Sequence, residues 1–327
     1  TKISRSGDLI LCIRAPIGDR NWSDGEYCLG RGVAGLSARP HKLDQKYLWH
    51  WLGYATPKLK AKGRGATFLQ VNKADIGSME VPLPPLDEQR RIVAILDKAD
   101  ALRAKRREGI SKLDQLLQSV FLDMFGDPVT SPKGCKLGAL GDVVETMQYG
   151  PRFYNEAYSE NGTRIVRITD LDASGCLDFG AMPRMDVEDE VLAQYGLRDG
   201  DLIFARTGAT VGKVALMKAS DPPCIAGAYF IRMRFKNAVL PEYAFHVLRA
   251  SSIQTLISVK SRQAAQQNFS GPGLRGLPMP VPSLAKQQKF ASIVSAIEVR
   301  MRTLQRHESH LDTLFASLQQ RAFSGAL

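Results

Sequence analysis

The chain has 327 residues, enough for two domains with their own cores, and a hydrophobic content of 44% that excludes a disordered or fibrous protein. No apolar run approaches the roughly 20 residues of a membrane span and no secretory signal opens the chain, so a cytoplasmic protein is expected. Lysine and arginine outnumber aspartate and glutamate to leave a net charge of +11, a surface suited to a polyanion, of which nucleic acid is the commonest.

In chain order, Ser6-Gly7-Asp8 turns into the apolar run Leu9 to Ile13, which predicts a strand. A glycine-rich passage from Gly30 to Gly35 leads to a helix around Tyr47 to Leu52, then to a basic loop, Lys58 to Thr67, suited to phosphate contact. Val81-Pro82-Leu83-Pro84-Pro85 closes this first segment, residues 1–85. Over 86–126, Ile92, Leu96, Ala99, Ile110, Leu113, Leu117 and Val120 step by three and four, the seam of a helix packed on a partner helix. At 1.5 Å per residue this helix is about 60 Å long, more than a compact domain needs.

Phe125-Gly126-Asp127-Pro128 stops the helix, and 127–135 reads as a linker. The next segment, 136–283, predicts strands at 164–168, 202–205, 214–217 and 228–235, a helix from Pro241 to about Ile257, and a loop from Lys260 to Asn268. A second proline-rich stretch, Pro278 to Pro282, leads to a second long helix, 284–327.

The two halves repeat. Adding 198 to the first seam gives Phe290, Val294, Ile297, Glu308, Leu311, Phe315 and Leu318, mostly apolar, and Met301, Leu304 and Ala322 continue the same phase; Gln89 falls on Gln287 and Phe125 on Phe323. Gly7-Asp8-Leu9-Ile10 likewise matches Gly200-Asp201-Leu202-Ile203. Gly200 follows about 65 residues of its own segment whereas Gly7 follows six, so the first segment is expected to lack its front portion.

Signatures of catalysis fail on inspection. Asp221-Pro222-Pro223-Cys224 has the outline of an amino-methyltransferase motif but carries Cys224 where an aromatic must stack on the target base. In Gly208-Ala209-Thr210-Val211-Gly212-Lys213-Val214 the glycines are one residue too close for a phosphate loop, and Val214 replaces the magnesium-binding hydroxyl. His307 and His310 fit solvated positions of a coiled coil better than metal ligands, and no metal site is expected. The five cysteines, Cys12, Cys28, Cys135, Cys176 and Cys224, are scattered and unpaired in sequence, as reduced thiols are.

Two segments of the form Gly-Asp-Leu-Ile…Arg, a proline-rich exit (82–93, PLPPLDEQRRIV), and long helices ending in Phe-Gly or Ala-Phe-Ser-Gly-Ala-Leu resemble the specificity subunit of type I restriction-modification systems, over essentially the whole chain. The resemblance implies a mixed α/β protein of two target-recognition domains, separated by two long antiparallel helices related as an internal repeat. It implies no catalysis and no cofactor on this chain. The partners would be double-stranded DNA, two methyltransferase subunits carrying S-adenosylmethionine and methylating adenine, and restriction and translocase subunits using ATP and Mg. The helices would act as a ruler between two half-sites.

Loops that combine cations with amide or flat side chains are the candidate DNA contacts. In the first segment these are Arg14, Arg20, Lys62, Arg64 and Gln70. In the second they are Gln148, Tyr149, Arg152 and Tyr154, then Arg206, Thr207 and Lys213, then Lys260, Arg262, Gln263 and Gln267. The off-seam helix faces and proline-rich exits are the expected methyltransferase docking surface. The competing reading is a non-catalytic scaffold whose coiled coil and flanking domains bind proteins, against which salt-sensitive DNA binding would argue.

Overall fold

The computed structural model describes residues 2–65, 69–133, 135–153, 157–262 and 268–327. The chain forms two compact units, Thr1–Ser111 with Met301–Leu327, and Lys112–Arg300. The compact units divide each long helix between them.

In the first unit, strand β1 (Leu9–Cys12) lies between β2 (Arg20–Trp22) and β3 (Val33–Leu36), antiparallel to both. Its alternate residues Leu9 and Leu11 are fully buried, as a period-two pattern requires. Helix α1 (Gln45–Ala61) begins at Asp44, whose carboxylate accepts from the N–H groups of Lys46 and Tyr47, a cap worth about 1 kcal/mol. It buries Tyr47, Trp51 and Leu52 in a core shared with the start of the long helix α2 (Leu86–Phe125) and with Ala322 and Phe323.

The second unit begins with the end of α2. Where a linker was expected, β4 (Gly126–Asp127) and β5 (Ser131–Pro132) form a short hairpin, and Asp127 accepts from the N–H groups of Val129 and Thr130. Gly126 is required there: φ is +73°, and a Cβ would stand 2.1 Å from the Ser131 carbonyl. After β6 (Lys136–Ala139), β7 (Val144–Tyr149) is an edge of a four-stranded antiparallel sheet. A separate strand, β8 (Tyr158–Val166), pairs in parallel with β11 (Cys224–Ala226). The four-stranded sheet continues through β9 (Leu202–Ala205), β10 (Val214–Leu216) and β12 (Phe230–Phe235), in the order β10-β9-β12-β7, with every residue of β9 buried. Strands β10, β9 and β12 repeat the pairing of β2, β1 and β3.

The helix expected from Pro241 to about Ile257 is two helices, α3 (Pro241–Arg249) and α4 (Ser251–Arg262). Ala250 adopts ψ 139° and breaks the run, after which Ile253 and Ile257 are buried. Strand β13 (Pro278–Val281) pairs with β6 and leads to the long helix α5 (Leu284–Ser324).

No proposed seam residue is exposed: Ile92, Leu96, Leu117, Phe290, Val294 and Leu304 are buried, and Ile110, Leu113, Val120, Ile297, Met301, Leu311, Phe315 and Leu318 are half-buried. Off the seam, Leu102, Leu116, Leu122, Val299 and Leu314 are exposed. In the first unit the seam is interrupted by charge. Arg103 Nε lies 2.5 Å from Asp312 and Arg107 Nε 2.7 Å from Glu308, contacts that run antiparallel along the two helices.

Two devices recur in both units. Gln89 and Gln287 are fully buried. Gln89 Oε1 accepts from Asp44 N–H at 2.8 Å, and its Nε2 donates to the carbonyls of Lys42 and Pro84 at 3.0 and 2.8 Å. Gln287 does the same with Leu240 N–H and the carbonyls of Ala238 and Pro282, at 2.8, 3.0 and 2.9 Å. Each glutamine thus ties the start of α1 or α3 to the start of a long helix. Tyr47 packs edge-on against Phe323 at 5.4 Å, and Tyr243 against Phe125 at 4.8 Å, so each short helix also rests on the end of a long one.

His246 is boxed by Phe121, Phe245 and Phe290, and burial, with Arg249 beside it, pushes its pKa from 6.5 down to about 3. Above pH 6.5 neither the folded nor the unfolded chain carries this proton; below it only the unfolded chain does. Stability therefore falls as pH drops from 6.5 toward 3, by about 2 kcal/mol between pH 6.5 and 5. His246→Phe should remove that component, which denaturant unfolding at pH 7 and pH 5 would measure. Equal pH losses in the two proteins would contradict it.

Candidate nucleic-acid interface

The loop leaving the central strand is built the same way in each unit. Gly18 N–H donates to Cys12 C=O at 2.9 Å, and Gly212 N–H to Ala205 C=O at 3.0 Å; both glycines have positive φ, +90° and +94°. Each loop is latched to a distant segment. Val71 N–H donates to Ile13 C=O and Phe269 N–H to Arg206 C=O, with bridges between Arg14 and Gln70 and between Thr207 and Asn268. A third link joins Ile13 N–H to Gly32 C=O and Arg206 N–H to Tyr229 C=O, each at 2.9 Å. Ile13, Arg14, Gly32 and Gln70 thus occupy the positions of Arg206, Thr207, Tyr229 and Asn268.

This architecture gathers some of the sequence candidates. In the first unit Arg64 and Gln70 exchange two backbone hydrogen bonds of 3.0 Å, and Gln70 bridges to exposed Arg14. Arg64 is three-quarters exposed and pairs at 3.0 Å with buried Asp75, which shares its charge. Lys62 Nζ reaches Ser78 Oγ at 3.2 Å.

In the second unit the Arg206 guanidinium lies 4.7 Å over the ring of Tyr149, whose hydroxyl accepts from Gly271 N–H at 2.9 Å. Arg206 Nε and Thr207 Oγ1 are buried without a hydrogen-bond partner. Arg152 and Lys260 are exposed. Arg262 ends α4, and Tyr154, Gln263 and Gln267 lie outside the described residues.

Three candidates make contacts within the protein. Arg20 lies 4.5 Å over Trp49, itself stacked on Trp22, and burial lowers its pKa. Gly53 makes this possible, because a Cβ there would meet the Arg20 guanidinium at 2.4 Å. Gln148 accepts from the buried guanidinium of Arg232, its cross-strand neighbour. Lys213 Nζ donates to Leu171 C=O at 3.0 Å. Sequence reasoning passed over Tyr229, which is 58% exposed beside Arg206, and exposed Arg31 next to Gly32.

The motifs that failed as catalytic signatures have structural places. Asp221 accepts from Lys218 N–H in a turn leading into β11, and burial pushes the Cys224 thiol up to about 12. His307 and His310 are exposed, and among the described residues no group of three or more His, Cys, Asp or Glu could hold a metal ion.

The two halves of the chain have counterparts among known proteins. Residues 1–112 and 132–309 match the type I restriction modification DNA specificity domain. The chain belongs to this family. Over 124 residues it is 35% identical to the type I restriction enzyme MjaX specificity subunit of Methanocaldococcus jannaschii, an alignment covering 37% of this chain and 29% of that relative. It is 25% identical over 303 residues to the MjaVIII specificity subunit of the same organism, covering 84% of this chain and 69% of the relative. The type I S subunit from M. genitalium superposes with a TM-score of 0.56 at 15% identity, over 98% of this chain and 84% of that one, which establishes the shared fold. The mixed α/β architecture with two long helices is the one the resemblance implied.

Proposed function

We propose that this chain is the non-catalytic DNA-recognition subunit of a type I restriction-modification assembly, with each unit reading one half of a split target. Carrying the reading is the specificity-domain match to both halves of a chain whose two units repeat one latched, arginine-bearing loop. The net charge of +11 suits a polyanionic ligand. The assembly would place two methyltransferase subunits, with S-adenosylmethionine, against the off-seam helix faces, where Leu102, Leu116, Leu122, Val299 and Leu314 are exposed. Restriction and translocase subunits would supply ATP and Mg chemistry, and the site of action would be the cytoplasm. No helix among the described residues is long and apolar enough to cross a membrane.

The test is co-purification with a methyltransferase subunit, then selection from a randomised duplex pool at two salt concentrations. A split motif, with binding that weakens as salt rises, is expected. A complex that forms but enriches no sequence would favour the protein scaffold instead.

A further inference from the structure

Both units carry the same backbone node, and the side chains standing on it differ. Arg206 N–H donates to Tyr229 C=O where Ile13 N–H donates to Gly32 C=O. Around that node each unit offers an arginine, Arg206 in the second and, one position further along in the place of Thr207, Arg14 in the first, and an amide residue at the latch, Asn268 or Gln70. What has no counterpart is the ring of Tyr229. It stands between β11 and β12, 58% exposed, at the place where the first unit has a glycine.

The neighbouring cation is fixed. The Arg206 guanidinium is stacked on Tyr149, so it loses little freedom on meeting an anion. A fixed cation on the residue whose N–H holds the Tyr229 carbonyl, with the Tyr229 ring exposed, suits a nucleotide, with the phosphate on the cation and the base on the ring. Each unit brings one arginine to this node, suited to what is common to all DNA, its phosphate backbone. The part that differs matches what varies, the bases.

We propose that Tyr229 is a specificity-determining contact of the second unit, its ring packing against a base while Arg206 holds an adjoining phosphate. This rests on the DNA-recognition reading above.

The experiment compares the methyltransferase complexes of the unmodified chain, Tyr229→Ala, Tyr229→Phe and Arg206→Ala. Each is given a randomised duplex pool, and affinities are then measured for the selected duplex and for an unrelated one. Tyr229→Ala should lose preference at one or two adjacent base pairs of one half-site, lowering the ratio of specific to non-specific affinity about tenfold. Tyr229→Phe should keep the full motif, because the ring makes the contact. Arg206→Ala should weaken both duplexes by a similar factor. An unchanged motif in Tyr229→Ala, or equal loss on both duplexes, overturns the proposal and leaves DNA recognition standing. No motif from the unmodified complex overturns both. Because Tyr229 is exposed, an unchanged melting temperature in Tyr229→Ala separates lost contact from lost folding.

Discussion

Replacing Gln287 with leucine is expected to destabilise the second unit by about 2–4 kcal/mol, because three main-chain groups lose the hydrogen bonds of a fully buried side chain. Leucine has similar bulk and fills the space, so the loss is polar and not a cavity effect. The N–H of Leu240 and the carbonyls of Ala238 and Pro282 would each lose this partner, with the Pro282 carbonyl, whose bond is buried, the most costly to strand. Leu240 is also the residue from which α3 starts, so the helix would fray where it meets the long helix. Gln287→Glu keeps the acceptor and loses both donated bonds, and should be equally damaging near neutral pH. Thermal unfolding would register Gln287→Leu as a fall of about 10 °C for a domain of this size. A loss below 1 kcal/mol would show that the glutamine bonds are incidental. Gln89→Leu should reproduce the effect in the first unit, where the same three bonds recur.

Changing Arg14, Arg64 and Lys260 together to alanine is expected to weaken binding to any duplex, whatever its sequence. Each cation that neutralises a phosphate releases condensed counterions, so three lost contacts flatten the slope of log affinity against log salt by about 2.7 units. At 0.1 M salt that corresponds to about 500-fold in affinity. Arg14 and Lys260 are exposed, and Arg64 is three-quarters exposed though shared with Asp75, so the folded chain should tolerate the substitutions. The ranking of sequences should survive while all affinities fall. An unchanged salt slope would place the phosphate contacts on other residues.

The parts of the fold legible in the sequence are those with a period. The three-and-four spacing identified both seams, and apolar runs between turn residues identified β1 and β9. The break at Ala250 was not legible, since Ser251-Ser252-Ile253-Gln254 continues a helical pattern and only burial of Ile253 shows the change of direction. Among candidate contacts, residue type could not tell which way a strand residue faces. Arg20 and Gln148 have the chemistry of DNA ligands, but one lies over Trp49 and the other accepts from Arg232. The node of Gly32 and Tyr229 was invisible for another reason: it is made of backbone hydrogen bonds, which leave no mark on side-chain identity. A lone tyrosine between two apolar strands reads as core until its exposure is seen.

The charged interruption of the seam bears on a problem that duplication creates. Two helices with nearly the same apolar stripe could pair as first with first or second with second, exchanging partners between copies of the chain. At three of the four charged positions the repeat is broken: Arg103 and Arg107 stand where the second helix has Met301 and Gln305, and Glu308 where the first has Ile110, whereas Asp312 matches Asp114. Two first helices in the same antiparallel register would keep Arg103 against Asp114 but set Arg107 against Ile110, and two second helices would set Met301 against Asp312. Only first with second gives both Arg103 and Arg107 a carboxylate, those of Asp312 and Glu308. The two helices therefore recognise each other by their differences, and the chain favours closing on itself over trading a helix with its neighbour.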